Sequence, residues 1–114
     1  MNNIQKGDLG ESLATKYLQS KGAYIIENKF KIKSGEIDII AKLNDEILFV
    51  EVKSRSNIKY GYPSESVNYK KKTKIINVAK YYILKHKLEE IPVRFDVIEV
   101  YLKDNKINHI ENAF

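Results

Sequence analysis

The sequence predicts an α/β fold, a central mixed β-sheet flanked by α-helices in the order α-β-β-β-α-β-β. Two observations predict it. Residues 4–21 and 66–88 carry apolar side chains at helical spacing, whereas 23–53 and 93–110 are β-branched runs broken by short polar turns. A chain of 114 residues is expected to form one domain, 1–114, around a single core.

The first helix, 4–21, has Asn2 or Asn3 as N-cap and Gly22 as its stop, and Gly10, Ala14, Tyr17 and Leu18 share a face. Gly7 and Gly10 each cost roughly 1 kcal/mol in a helix interior. They mark either a close helix–sheet approach or a frayed first turn. Residues 23–32 read as a strand with Ile26, Phe30 and Ile32 on one side, and Lys33-Ser34-Gly35 turns into a hairpin over 35–53. Its break is Asn44-Asp45. Such short connections imply three antiparallel strands. The second helix lines Ile75, Ala79, Tyr82, Ile83 and His86 on one face and Lys70, Lys74, Asn77, Tyr81 and Lys85 on the other. Strand 93–101 follows that helix, so a crossover brings it back to the sheet and allows a parallel neighbour. Asp104-Asn105 then turns into a last strand, 106–110.

The chain has no cysteine, which excludes disulfides and thiolate metal sites. Its first residues lack the apolar core of a secretory signal, and no apolar run approaches the roughly 20 residues that span a bilayer. A cytoplasmic protein is expected. The net charge of +5 is uneven: residues 53–87 hold ten Lys or Arg and one acid, while the remainder is net acidic. A basic surface beside an acidic site points to a polyanion, with nucleic acid ahead of an anionic membrane.

The acidic site is in the hairpin. Alternation places Glu36 and Asp38 on one face of its first strand, and Glu51 and Lys53 on one face of its second. Carboxylates about 4 Å apart repel by roughly 4 kcal/mol at an effective dielectric near 20. A divalent cation turns that cost into ligation, and hard oxygen ligands suit Mg²⁺ or Mn²⁺. The competing reading is a structural cluster in which Lys53 neutralises Asp38 and Glu51. Glu11 lies at the edge of the first helix's apolar face, either reaching toward these carboxylates or solvated. After Lys53, a segment with Arg55, Lys59, Tyr60 and Tyr62 either stacks bases and holds phosphates or packs on the core. Lys70, Lys71, Lys72 and Lys74 form a single-sign run suited to phosphate contact. His86 and His109 each stand alone and read as packing or surface residues.

Asp38 followed by Glu51-x-Lys53 resembles the signature of the PD-(D/E)xK nuclease superfamily, which includes restriction endonucleases and archaeal Holliday-junction resolvases. A closer resemblance is to the YraN-like family of small bacterial proteins within it. It rests on Gly7, Gly10 and Glu11; Asn28; Gly35-Glu36-Ile37-Asp38; Phe49 to Lys53 with Arg55; Gly61 and Pro63; Lys71; Ala79; Arg94-Phe95-Asp96-Val97; and Asn112-Ala113-Phe114. The proline of the superfamily name is absent before Asp38. The resemblance implies a restriction-endonuclease-like fold. It also implies Mg²⁺ or Mn²⁺ held by Asp38, Glu51 and the Val52 carbonyl, with Lys53 acting on the attacking water and Glu11 supporting the metal.

The leading expectation is therefore a metal-dependent endonuclease acting on structured or branched nucleic acid, with Asp38, Glu51, Lys53 and Glu11 catalytic. Arg55, Lys70, Lys71 and Lys74 would hold the nucleic acid. A homodimer is plausible, since one small domain cuts one strand per encounter. The alternative is a non-catalytic nucleic-acid-binding module on a nuclease fold.

Overall fold

The computed structural model describes residues 1–56 and 68–114. The helix α1 spans Asn3–Ser20, followed by strands β1 (Tyr24–Ile32), β2 (Gly35–Leu43) and β3 (Glu46–Arg55), helix α2 (Tyr69–Lys85), and strands β4 (Val93–Tyr101) and β5 (Lys106–Ile110). Asn2 caps α1: its side chain accepts from the Gln5 amide at 2.8 Å, and the Gln5 side chain accepts from the Asn2 amide at 2.9 Å. Two of the helix's four orphan N–H groups are thereby satisfied, and the chain leaves α1 through Gly22 at φ 93°. Asn68 caps α2 by accepting from the Lys71 amide at 2.9 Å.

The five strands form one mixed sheet in the order β1-β2-β3-β4-β5, antiparallel except for the parallel pair β3–β4. That pair is the crossover expected from a strand–helix–strand order. Asn44 and Asp45 adopt φ of 50° and 67° in the β2–β3 turn, the left-handed pair that lets a two-residue hairpin follow the strand twist. The central strand is covered on both sides, which is why Ile47–Val50 is an unbroken apolar run. On one face α1 packs Ala14 and Leu18 against Ile39, Ala41, Leu48, Val50, Ile98 and Val100. On the other, α2 packs Ile75, Val78, Ala79 and Tyr82 against Ile37, Ile40, Ile47 and Phe49. Each fully buried Leu or Ile contributes about 2 kcal/mol.

Several expectations shift in detail. Ile26 does not join Phe30 and Ile32 in the core; it is 37% exposed, because a bulge between Ile25 and Glu27 turns the strand. His86 caps the end of α2 and is exposed, its ring 4.2 Å from Tyr82, rather than continuing the buried face. The α2 helix runs from Tyr69 behind its Asn68 cap; Ser66 and Val67, where the sequence pattern places its start, lie outside the described residues. Of the two α1 glycines, Gly10 marks a close approach, since a Cβ there would overlap Ser54 Oγ and come within 3.0 Å of Ser54 Cβ. Gly7 has open space around it.

Candidate active site

The site forms where two strands part. The β2–β3 ladder ends at Ile39–Val50, while β3 continues to Arg55 paired with β4. Strict alternation also breaks here, since Ile37 packs toward α2 and Ile39 toward α1. Opposite the break, Lys29 on β1 takes a left-handed φ of 54°. Asp38 therefore sits in the fork, and its Oδ2 accepts a 2.8 Å hydrogen bond from the Val52 amide.

On β3, Leu48 and Val50 belong to the α1 face and Ile47 and Phe49 to the α2 face, so alternation directs Glu51 and Lys53 toward α2. Asp38 and Glu51 are brought together. Burial first, then a hydrogen bond with Asp38 and its charge, push the Glu51 carboxyl up to about 9. Lys71 and Lys53 offset this only in part. Burial, followed by the neighbouring Lys71 ammonium, brings the Lys53 amine down to about 8. Lys71 Nζ lies 3.9 Å from Glu51 Oε1. The Glu51 charge acts in the opposite sense and raises the Lys53 amine, but burial and Lys71 outweigh it.

Glu11 is buried at 8% exposure on the other side of the fork. Lys29 Nζ reaches it at 3.2 Å and Asp8 at 3.2 Å. Burial raises the Glu11 carboxyl above its ordinary value; Lys29 opposes that, and the charges of Asp38 and Glu36 add to it. Glu11 thus feels Asp38 electrostatically while its direct partner is Lys29. Both line a cleft of about 550 Å³ with Gly7, Lys53 and Arg55. Sequence pattern gave no signal for Lys29 or Asp8 as neighbours of Glu11, since these ion pairs join α1 to β1 only after folding.

Arg55 ends β3 and its carbonyl accepts from the Leu102 amide at 2.8 Å. Lys70 and Lys74 are exposed on α2, and Lys71 is half-buried beside Glu51. Lys59, Tyr60, Gly61, Tyr62 and Pro63 lie outside the described residues. His109 is a packing residue, as expected: its ring contacts Tyr17 OH at 3.0 Å and Asp96 Oδ2 at 2.7 Å.

Among the described residues, no three His, Cys, Asp or Glu side chains converge closely enough to hold a metal ion. The pair Asp38–Glu51 fits a hard divalent cation that keeps several waters and takes one or two carboxylates. A buried carboxyl forced up beside another carboxylate is the electrostatic cost such an ion removes. The Val52 carbonyl is adjacent in sequence, and it is the Val52 amide that anchors Asp38.

No described helix is long and apolar enough to cross a membrane. Among solved structures, Pyrococcus furiosus SfsA in complex with Ca²⁺ aligns with a TM-score of 0.37 at 16% identity, over 96% of this chain and 64% of that one. A UPF0102 protein of Clostridioides difficile is 66% identical over 114 residues, covering both chains fully. Another, of Alkaliphilus oremlandii, is 52% identical and covers 98% of this chain and 99% of its own length. A third, of Thermodesulfovibrio yellowstonii, is 51% identical over the whole of this chain. The profile of the uncharacterised protein family UPF0102 matches residues 10–100, and the chain belongs to that family.

Proposed function

We propose that the protein is a metal-dependent endonuclease of the PD-(D/E)xK type, hydrolysing phosphodiester bonds in structured or branched nucleic acid, DNA ahead of RNA. The observation that carries this reading is the Asp38–Glu51 pair in the strand fork, with Lys53 two residues on and on the same face as Glu51. Bound Mg²⁺ or Mn²⁺ would lower the pKa of its water and stabilise charge developing on phosphorus. Asp38, with Oδ2 anchored by the Val52 amide, offers its other oxygen as a ligand, and Glu51 is the second carboxylate. The Lys53 amine, brought down to about 8 by burial and Lys71, would orient the attacking water or, in its unprotonated fraction, take its proton. The water oxygen forms the new bond to phosphorus as the bond to one bridging oxygen breaks, and that oxygen takes a proton from solvent water, leaving a phosphate end and a hydroxyl end. Arg55 at the end of β3 and the exposed Lys70 and Lys74 of α2 would hold neighbouring phosphates.

The test is incubation of the purified protein with branched, single-stranded and duplex DNA and RNA in Mg²⁺ or Mn²⁺. Cleavage of at least one substrate, lost in Lys53→Ala, is expected. If nothing is cut while binding stays salt-sensitive, the protein is a nucleic-acid-binding module and the enzymatic reading fails.

A further inference from the structure

Among the described residues, the non-glycine positions with left-handed φ are Asn44, Asp45, Asn105, Asn112, Lys87 and Lys29. Asn and Asp tolerate that conformation, and Lys87 closes α2 behind its cap His86. Lys29 has neither reason: it lies inside β1 at φ 54°, where a long side chain is strained. Its place in the sheet shows what the strain does. The flanking pairs Asn28–Ile39 and Phe30–Ile37 set Lys29 opposite Asp38. In a regular ladder two such residues share a face and form a cross-strand ion pair. Here the ammonium instead lies 3.2 Å from Asp8 Oδ1 and 3.2 Å from Glu11 Oε1, and Asp38 takes the Val52 amide. Asp8 and Glu11 are one turn apart on α1, like charges that repel unless a cation stands between them. The bond with Asp8, helped by the one with Glu11, outweighs burial and raises the Lys29 amine above its ordinary value.

Resting on the nuclease reading, we propose that Lys29 is a positioning residue: its left-handed backbone takes the ammonium off Asp38 and, braced by Asp8, fixes the Glu11 carboxylate at the edge of the cleft. Glu11 is 8% exposed, and Lys29 donates to it across the boundary between α1 and β1. Glu11, Asp38 and Lys29 all line the cleft of about 550 Å³. One lysine therefore holds one carboxylate of the cleft and leaves the other without a cross-strand ammonium. A lysine kept only to pin α1 to β1 would weaken folding and leave the kcat of the folded protein unchanged. One kept only for its charge would be matched by a neighbour such as the exposed Lys31, two residues on.

The experiment has two arms, both on the full-length protein. In the first, without metal or nucleic acid, urea unfolding of Lys29→Asn, Glu11→Gln, Asp38→Asn and the two double variants containing Lys29→Asn gives the coupling of Lys29 to each carboxylate. Asparagine accepts the left-handed backbone, so Lys29→Asn removes the ammonium and keeps the turn. A coupling to Glu11 of about fivefold in the unfolding constant is expected for a partly exposed ion pair, against less than about twofold to Asp38. A coupling to Asp38 as large as that to Glu11 overturns the proposal, whether or not the protein cuts nucleic acid. In the second arm, cleavage in Mn²⁺, kcat of Lys29→Asn is expected to fall about 10-fold with KM changed by less than about threefold. Lys29→Arg should recover most of that loss, and Lys31→Asn should stay within about twofold of wild type. The double variant Lys29→Asn with Glu11→Gln should cut no more slowly than Glu11→Gln alone, because the lysine acts through that carboxylate. Losses that multiply in the double variant, or an unchanged kcat in Lys29→Asn, overturn the proposal. If neither wild type nor any variant cuts while the coupling pattern holds, the nuclease reading fails and the placement of Glu11 by Lys29 stands.

Discussion

Asp38 Oδ2 accepts a 2.8 Å hydrogen bond from the Val52 amide just beyond the last β2–β3 pair, Ile39–Val50. The carboxylate stands in for the ladder carbonyl that β2 no longer offers, so a single residue both bridges the fork between β2 and β3 and faces Glu51. Asp38→Asn retains an acceptor and should fold, with stability within about 1 kcal/mol of wild type by urea denaturation. Its cleavage activity is expected to drop at least about 1000-fold. Asp38→Ala should lose the same activity and about 1–2 kcal/mol of stability, because the Val52 amide is left without its acceptor.

Glu51 makes the stability of the metal-free protein depend on pH. Its folded-state carboxyl titrates at about 9 against 4.5 for the free group, so the folded protein binds the proton more tightly than the unfolded chain. This contribution to stability is present below 4.5, declines as pH rises, and is gone above about 9. Glu51→Gln removes the titration. At pH 8 without metal it is expected to be more stable than wild type by about 1–3 kcal/mol, an advantage that shrinks toward pH 5. Mg²⁺ should raise the melting temperature of wild type and leave that of Glu51→Gln unchanged.

Gly7 and Gly10 should respond oppositely to alanine. Gly7 has open space, so Gly7→Ala gains helix propensity and is expected to stabilise by about 0.5–1 kcal/mol. At Gly10 the added Cβ meets Ser54 on β3, so Gly10→Ala must move Ser54 or lift α1 from the sheet. A loss of about 1–2 kcal/mol is expected, partly recovered in Gly10→Ala with Ser54→Gly. Thermal melts of the four proteins check both signs.

Asp96 is fully buried and joins β4, β5 and the C-terminal residues. Arg94 donates to it at 2.9 and 3.0 Å, His109 meets it at 2.7 Å and the Asn112 amide donates at 3.0 Å. Burial raises its carboxyl, but the bonds from His109, Arg94 and Asn112 outweigh that, so it lies below the ordinary 3.8. With the folded value depressed, its stabilisation is complete above 3.8 and is lost as pH falls below it. Acid titration by circular dichroism should place that loss below pH 4. Asp96→Asn is expected to destabilise by about 3 kcal/mol at neutral pH, because Arg94 loses its buried carboxylate and keeps only the longer contacts to Glu46 and Glu111, at 3.7 and 3.5 Å.

Periodicity and turn chemistry made the order of elements legible in the sequence, down to the Asn44-Asp45 turn and the Asn cap of α1. These are local properties, set by φ/ψ preference and by which side chains must leave water. The sequence drew Asp38, Glu51 and Lys53 out as candidates for a related reason: charges that end oily central strands are costly unless something compensates them. The sequence could not show that β2 would part from β3 at Ile39, that Lys29 would claim Glu11, or that Lys71 rather than a solvent-facing neighbour would turn to Glu51. Those depend on how far a strand twists before its ladder ends and on where a helix lands across the sheet. Such distances are set by packing between residues remote in the chain, and only the tertiary structure decides them.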